Sequence, residues 1–362
     1  MFIYTRFLEL LMVAIGKRER LSYSPTPTEW DELFRMSKNQ AIAAVMFKGV
    51  EHLPKEQIPP KPILLQWFAL YQQIRKRNEE INAAAVAVTQ RFDIKGLKSC
   101  ILKGQANALL YPDPYSRTPG DIDIWIDCGH KRLLAMANEI GVSGEACYHH
   151  VDGGKYNDIP IEIHYKPSFM FFPLHNTRLQ RWFVENAEEQ YSNRVSLPDT
   201  NGKVSVPTQK FNIIFQLSHL YKHFLQEGVG LRQFMDYYYL LSGIDVMPEI
   251  TYTLRHLGMY NFARGVMWVL IEIFGLDNNK TIAAPDIRRG RIILDEIMAG
   301  GNFGKFDKRF MSGTQTTPIK HNLARLYRDV RLVALFPSEC ICEPLFRLWH
   351  WWWRKKVNKI RV

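Results

Sequence analysis

Apolar residues recur at a helical period through the first 95 positions. They shift to short alternating runs between 96 and 205 and return to the helical period after that. In the first stretch Trp30, Leu33, Phe34 and Met36 share one face of a helix that Thr28 can N-cap. Ala41 to Val50 predicts a second, short apolar helix. Prolines in the run Glu56 to Pro62 break the chain. A long helix is expected from Ile63 to Phe92, because Leu64, Trp67, Leu70, Ile74, Ile81, Ala85 and Val88 keep the 3.6-residue spacing. The middle stretch predicts strands over Lys98–Leu102, Gly120–Asp127, Tyr148–Val151 and Ile159–Tyr165, with a turn at Asp152-Gly153-Gly154. Helices are expected there at Ala106–Leu110 and at Lys131–Ile140, the latter ended by Gly141. The last stretch predicts helices over Thr208–Gln226, Leu231–Ser242, Pro248–Leu257, Tyr260–Phe274 and Ile287–Met298. A Gly- and Lys-rich loop from Gly300 to Gly313 follows, then a helical region from Ile319 broken near Pro337 and Pro344. The pattern defines an α+β chain: a helical region (1–95), an αβ core with a small mixed sheet (96–205) and a second helical region (206–362).

Composition narrows the partners only a little. With 362 residues, 46% hydrophobic and 13% aromatic, the chain is globular and long enough for a sizeable core. Its net charge of +11 favours polyanions: nucleotide phosphates, nucleic acid or an anionic membrane surface. Part of that surplus is local, since Arg354, Lys355, Lys356, Lys359 and Arg361 crowd the acid-free terminus beside Trp349, Trp351, Trp352 and Trp353. Such a segment either packs its tryptophans on the domain or meets a lipid surface. Cys100, Cys128, Cys147, Cys340 and Cys342 fit no metal spacing and form no Cys-x-x-Cys pair, as expected of reduced thiols in a cytoplasmic protein. Phe2 to Ile15 carries Arg6 and Glu9 and reads as an amphipathic helix, not a signal peptide. No window offers the roughly 18 uncharged apolar residues of a membrane span. The expected location is cytoplasmic, with a peripheral position at the inner face of a membrane as the role of the terminal segment.

The chemistry concentrates at Gly120-Asp121-Ile122-Asp123-Ile124-Trp125. Side chains alternate along a strand, so Asp121 and Asp123 share a face while Ile122 and Ile124 take the other. Two adjacent carboxylates repel unless a cation sits between them, and oxygen donors suit Mg²⁺, with Mn²⁺ as the alternative. Upstream, a strand runs into Lys103-Gly104-Gln105 and a helix, a turn at which a phosphate can approach the backbone. Downstream, Glu162 and His164 share a strand face, so Glu162 is a third carboxylate, a metal ligand or a base. A divalent cation, a phosphate turn and a third carboxylate are the equipment for moving a nucleoside monophosphate from a triphosphate to a hydroxyl. Lys103 can neutralise phosphate charge, or lie on the opposite face and pair with a carboxylate; Arg117 can reach phosphate, although a loop arginine is more often solvated. His219 and His223, four apart on one helix face, line the cleft or fill a packed interface; Leu220 follows His219, so no metalloprotease motif is present. Arg232 and Asp236, also four apart, can pair, and Lys222 can face the cleft, although a solvated helix lysine is the leading expectation.

These pieces, in this order, resemble the polymerase-β-like nucleotidyltransferases. They are most similar to a poorly characterised bacterial family with Leu102-Lys103-Gly104, Arg117-Thr118-Pro119-Gly120-Asp121-Ile122-Asp123 and Glu162-Ile163-His164. His219, His223, Phe224, Gly230, Leu231, Arg232 and Asp236 match its later helical segment. Gln105 stands where the wider superfamily has a small residue, and the Gly104-to-Asp121 gap is longer, so the phosphate turn is expected to differ in shape. The resemblance implies a minimal nucleotidyltransferase sheet, with Asp121, Asp123 and Glu162 catalytic and metal-binding. It places Lys103, Gly104, Gln105, Arg117, Gly120, His164, His219 and His223 around a bound nucleoside triphosphate. The acceptor reads equally as a small molecule, a sugar, a protein side chain or an RNA end, though no RNA-binding module is recognisable. A catalytically silent nucleotide-binding or scaffold protein at a membrane is the alternative.

Overall fold

The computed structural model describes residues 2–135, 145–245, 248–307 and 318–359. Helices α1 (Phe2–Ala14), α2 (Pro27–Asn39), α3 (Ala43–His52) and α4 (Lys61–Ile94) come first. The central part holds β1 (Ser99–Ile101), α5 (Gln105–Ala108), β2 (Ile122–Ile126), α6 (His130–Ala135), β3 (His150–Tyr156) and β4 (Ile159–His164). Next come α7 (Pro173–Glu185), α8 (Ala187–Ser192), β5 (Arg194–Ser196) and β6 (Lys203–Ser205). The remaining helices are α9 (Gln209–Gln226), α10 (Leu231–Ser242), α11 (Pro248–His256), α12 (Tyr260–Phe274), α13 (Ile287–Gly300), α14 (Pro318–Leu332) and α15 (Pro337–Lys359). The class is α+β, as the pattern indicated.

The main sheet has the order β1-β2-β4-β3. β2 pairs antiparallel with β1 and parallel with β4, in a register that sets Asp123 opposite Glu162 and Trp125 opposite His164. Strand alternation therefore sorts the sheet into two faces. Ile122, Ile124, Ile126, Ile161 and Ile163 join Ile81, Ala85, Val88 and Phe92 of α4 in one hydrophobic cluster. On the other face Trp125 packs against Tyr191 and Phe211, at 4.8 and 5.7 Å between ring centroids. That second cluster also takes in α1 to α3, the first half of α4 and α9 to α13, so both helical regions share one core. The carboxylates stand on this second face, between the sheet and α9.

Several boundaries differ from expectation for local reasons. Thr26, not Thr28, caps α2: its hydroxyl accepts from Glu29 N–H while the Glu29 side chain returns to Thr26 N–H. The predicted Asp152–Gly154 turn is instead a register irregularity within β3, and the chain reverses at Asn157 and Asp158, both at positive φ. α15 runs through Pro344 instead of breaking there. α6 ends at Ala135 within the described residues, and the remainder of the expected Lys131–Ile140 helix, with Gly141, lies outside them, as do residues 308–313 of the expected loop and Arg361 of the basic terminus. On α15, Trp353 and Val357 pack against the sheet cluster while Trp351 and Trp352 are exposed. Among the described residues no helix is long and apolar enough to cross a membrane.

Candidate active site

β1 leads into the Lys103-Gly104 turn. Leu102 N–H donates to Asp123 C=O at 3.0 Å, which ties the turn to the carboxylate strand. Gly104 then adopts φ +57° and ψ −107°, a conformation closed to residues with a Cβ, which is why glycine stands there. The helix that follows, α5, is a single turn and not the longer Ala106–Leu110 helix expected. Its dipole is correspondingly weak.

Beyond this turn lies a cavity of about 410 Å³ between the sheet and α9. Lys103, Gly104, Arg117, Gly120, Asp121, Asp123, Glu162, His219 and His223 all line it. Two expected site residues do not. Gln105 is buried against α4 and donates to Asn82 Oδ1, so its side chain is directed away from the cavity. His164 lies behind the wall, 1% exposed, with Nε2 at 2.9 Å from Asp123 Oδ1 and 3.5 Å from Glu162 Oε2.

Positive charge is shared unevenly among the carboxylates. Asp123, 3% exposed, has Lys103 Nζ at 2.9 Å on the same oxygen that meets His164. Burial penalises the Asp123 carboxylate, but Lys103 and His164 outweigh this and hold it well below the ordinary range. Asp121 takes the consequence: the Asp123 charge, together with burial, pushes it up to about 6 despite Lys103. Glu162 is lowered against its burial, chiefly by the His164 hydrogen bond. His164 is raised against burial by Asp123 and Glu162.

On the opposite wall, α9 is packed on nearly all sides, yet carries Asn212, Gln216, His219 and His223 at the i, i+4, i+7, i+11 spacing of one face. His219 Nε2 is 3.2 Å from Lys103 Nζ, bridging the two walls. Burial and the neighbouring lysines lower both histidines, His223 to about 4, so both are neutral imidazoles at pH 7. Lys222 faces the cleft and is not the solvated lysine favoured from the sequence. It is 5% exposed, lines the cavity, and burial with Lys103 nearby lowers it to about 8.

The arginines also differ from expectation. Arg117 is buried and binds Asp236 through two bonds of 2.8 Å, with Tyr111 and Asn107 donating to the same carboxylate. Arg232 therefore does not pair with Asp236. Its guanidinium donates to Thr118 C=O at 3.1 Å, lies beside Gly120, and forms no ion pair with a carboxylate among the described residues. Sequence reasoning also missed Asn107, Gln216, His149 and His150, all of which line the cavity. The polar stripe on the otherwise apolar α9 was a signal for Gln216; the adjacent His149-His150 pair preceding a strand was a weaker one.

Residues 26–275 match the family described as "Uncharacterised nucleotidyltransferase". The match spans well over half of the chain, which belongs to that family and is a nucleotidyltransferase. No curated protein matches. One solved structure, an antigenic nucleotidyltransferase-like protein from Paracoccidioides brasiliensis, is 13% identical, with a TM-score of 0.34 over 61% of this chain and 97% of the other. At that distance the likeness carries no argument about fold or activity.

Proposed function

We propose that the chain transfers a nucleoside monophosphate from a nucleoside triphosphate to an acceptor hydroxyl, using Mg²⁺ or Mn²⁺ held by Asp121, Asp123 and Glu162. The observation that supports this most directly is the like-charge crowding of Asp121 and Asp123 on one cavity wall, with Asp121 held up to about 6 by the Asp123 charge and by burial. An all-oxygen pair in that state fits a hard divalent ion. Bound there, the ion supplies charge for the phosphate oxygens and acidifies the attacking hydroxyl.

The protein's own groups then divide the remaining work. The Lys103-Gly104 turn receives the phosphates, with Lys103 moving from Asp123 to phosphate oxygen. Gly120 keeps the approach beside Asp121 open, and Arg232 supplies the phosphate-facing guanidinium there. Arg117 acts indirectly: committed to Asp236, it braces the loop before β2. Glu162, held ionised by His164, is a ligand or the base for the acceptor hydroxyl. His219 and His223, being neutral, serve as hydrogen-bonding partners for base, ribose or acceptor. The cavity volume suits a nucleotide-sized ligand.

Calorimetric titration with each nucleoside triphosphate tests this reading. Binding of at least one is expected with Mg²⁺ and not with EDTA. Arg232→Met is expected to weaken it by about tenfold, the loss of one charge-assisted contact, without changing the melting temperature by more than a few degrees. Affinity unchanged by EDTA would instead favour a silent nucleotide-binding protein.

A further inference from the structure

The last helix, α15, turns its acids inward and its apolar side chains outward. Glu339 and Glu343 are buried, whereas Ile341, Leu345 and Leu348 are 59%, 66% and 68% exposed. With the exposed Trp352 they fall at i, i+4, i+7 and i+11, a single stripe about 17 Å long. Trp349 and Trp351 flank it and are also exposed. On α14, Leu323, Leu326 and Val330 add a second exposed stripe at i, i+3 and i+7.

Polar bonds along α15 fix this orientation. Phe171 and Phe172 N–H donate to Glu339 Oε2 at 2.7 and 3.1 Å. Arg325 of α14 and Arg347 both pair with Glu343. Further along, Tyr148 N–H donates to His350 Nε2 at 3.1 Å, and Ala146 N–H donates to Asn358 Oδ1 at 2.9 Å. Rotating the helix to hide its apolar stripe would break all of these bonds, so exposure of the stripe is built into the fold.

The charge pattern selects what covers the stripe. Asp329, Glu339 and Glu343, the acids of α14 and α15, are all buried. Exposed Lys355 and Lys356 continue the stripe toward the C-terminus, with their ammonium groups 3.8 and 5.4 Å from the Trp351 and Trp352 ring centroids. A second copy of the chain would bring the same apolar and basic groups, with no exposed carboxylate on these helices to meet the lysines. An anionic bilayer answers both parts: its headgroup–acyl boundary takes the aliphatic and indole side chains, and its phosphates take the lysines. We infer that α15 seats the protein on an anionic phospholipid surface, with Ile341, Leu345, Leu348 and Trp352 in the boundary and Lys355 and Lys356 on lipid phosphates. The helix lies along the surface, because its other side is committed to the domain by the Glu339, Glu343 and His350 bonds. Lipid contact of this kind is independent of nucleotidyl transfer at the cavity.

Flotation of the full chain with vesicles tests the seat, using phosphatidylcholine alone and an equimolar mixture with phosphatidylserine. At low salt the chain should bind the mixed vesicles with a blue shift of tryptophan emission, and partition at least about tenfold more weakly into phosphatidylcholine. Leu345→Ser with Leu348→Ser, and separately Lys355→Gln with Lys356→Gln, should each weaken partition about tenfold or more. These side chains are exposed, so both variants should keep the wild-type melting temperature within a few degrees. Wild type that ignores the mixed vesicles, or a leucine variant that partitions as wild type does, overturns the inference. A lipid-free dimer in sedimentation equilibrium that the leucine variant dissociates overturns it as well, and gives this face to a second copy of the chain.

Discussion

Asp123→Asn is expected to lower nucleotidyl transfer by at least about 10³-fold, roughly 4 kcal/mol of transition-state stabilisation. Asparagine keeps the size of the side chain but removes the charge that pairs with Lys103 and would hold the cation. Asp121→Asn should lose transfer to a similar degree while making the metal-free protein more stable. The Asp121 carboxyl lies at about 6, above its ordinary 3.8, because of Asp123 and burial. Folding therefore disfavours its charged form. The resulting penalty is absent below about pH 4, grows as pH rises to about 6, and is fully present at pH 7.5. Asparagine removes it, so the metal-free variant should exceed wild type by on the order of 2 kcal/mol at pH 7.5 and match it near pH 4. Steady-state rates and thermal melts at the two pH values check both parts. A variant less stable than wild type at pH 7.5 would show that the aspartate charge is already compensated.

The second large effect is structural. Asp236→Asn should cost about 3–5 kcal/mol, because it strands a buried guanidinium. Arg117 and Asp236 have side chains only 6% and 5% exposed, and the pair is bidentate. Burial opposes the Asp236 charge, but Arg117 and Tyr111 overcome this and hold the carboxyl below its ordinary range. Arg117→Met combined with Asp236→Leu should cost less than the sum of the single changes, since neither charge is then left alone. Urea unfolding of the single and double variants measures this; a single-variant cost under about 1 kcal/mol would mean that water reaches the pair.

The acidic strand was legible because one local rule sufficed: alternation placed Asp121 with Asp123, whereas the parallel register that sets Glu162 opposite Asp123 is a long-range pairing that only the fold supplies. Helices Leu231–Ser242 and Tyr260–Phe274 were likewise bounded by their own periodicity. What failed depended on distant partners. Arg117 finds Asp236 across 119 positions, and this outcompetes the local Arg232–Asp236 spacing. Lys222 looks solvated until α9 is enclosed by sheet and helices, and Gln105 looks phosphate-facing until Asn82 claims it. α7 was missed because only Leu179 and Phe183 are buried along it, leaving no apolar stripe to read. The β5–β6 ribbon escaped because strands of three residues show almost no alternation.

The most direct test is transfer itself. The full chain is incubated with each nucleoside triphosphate labelled at the α-phosphate, with Mg²⁺ and a lysate of its source. Label should pass to a new, non-nucleotide-sized product with release of pyrophosphate, and both should vanish with EDTA and in Asp123→Asn. Release of inorganic phosphate in place of pyrophosphate, or label transfer that survives Asp123→Asn, would contradict a nucleotidyl-transfer centre at Asp121, Asp123 and Glu162.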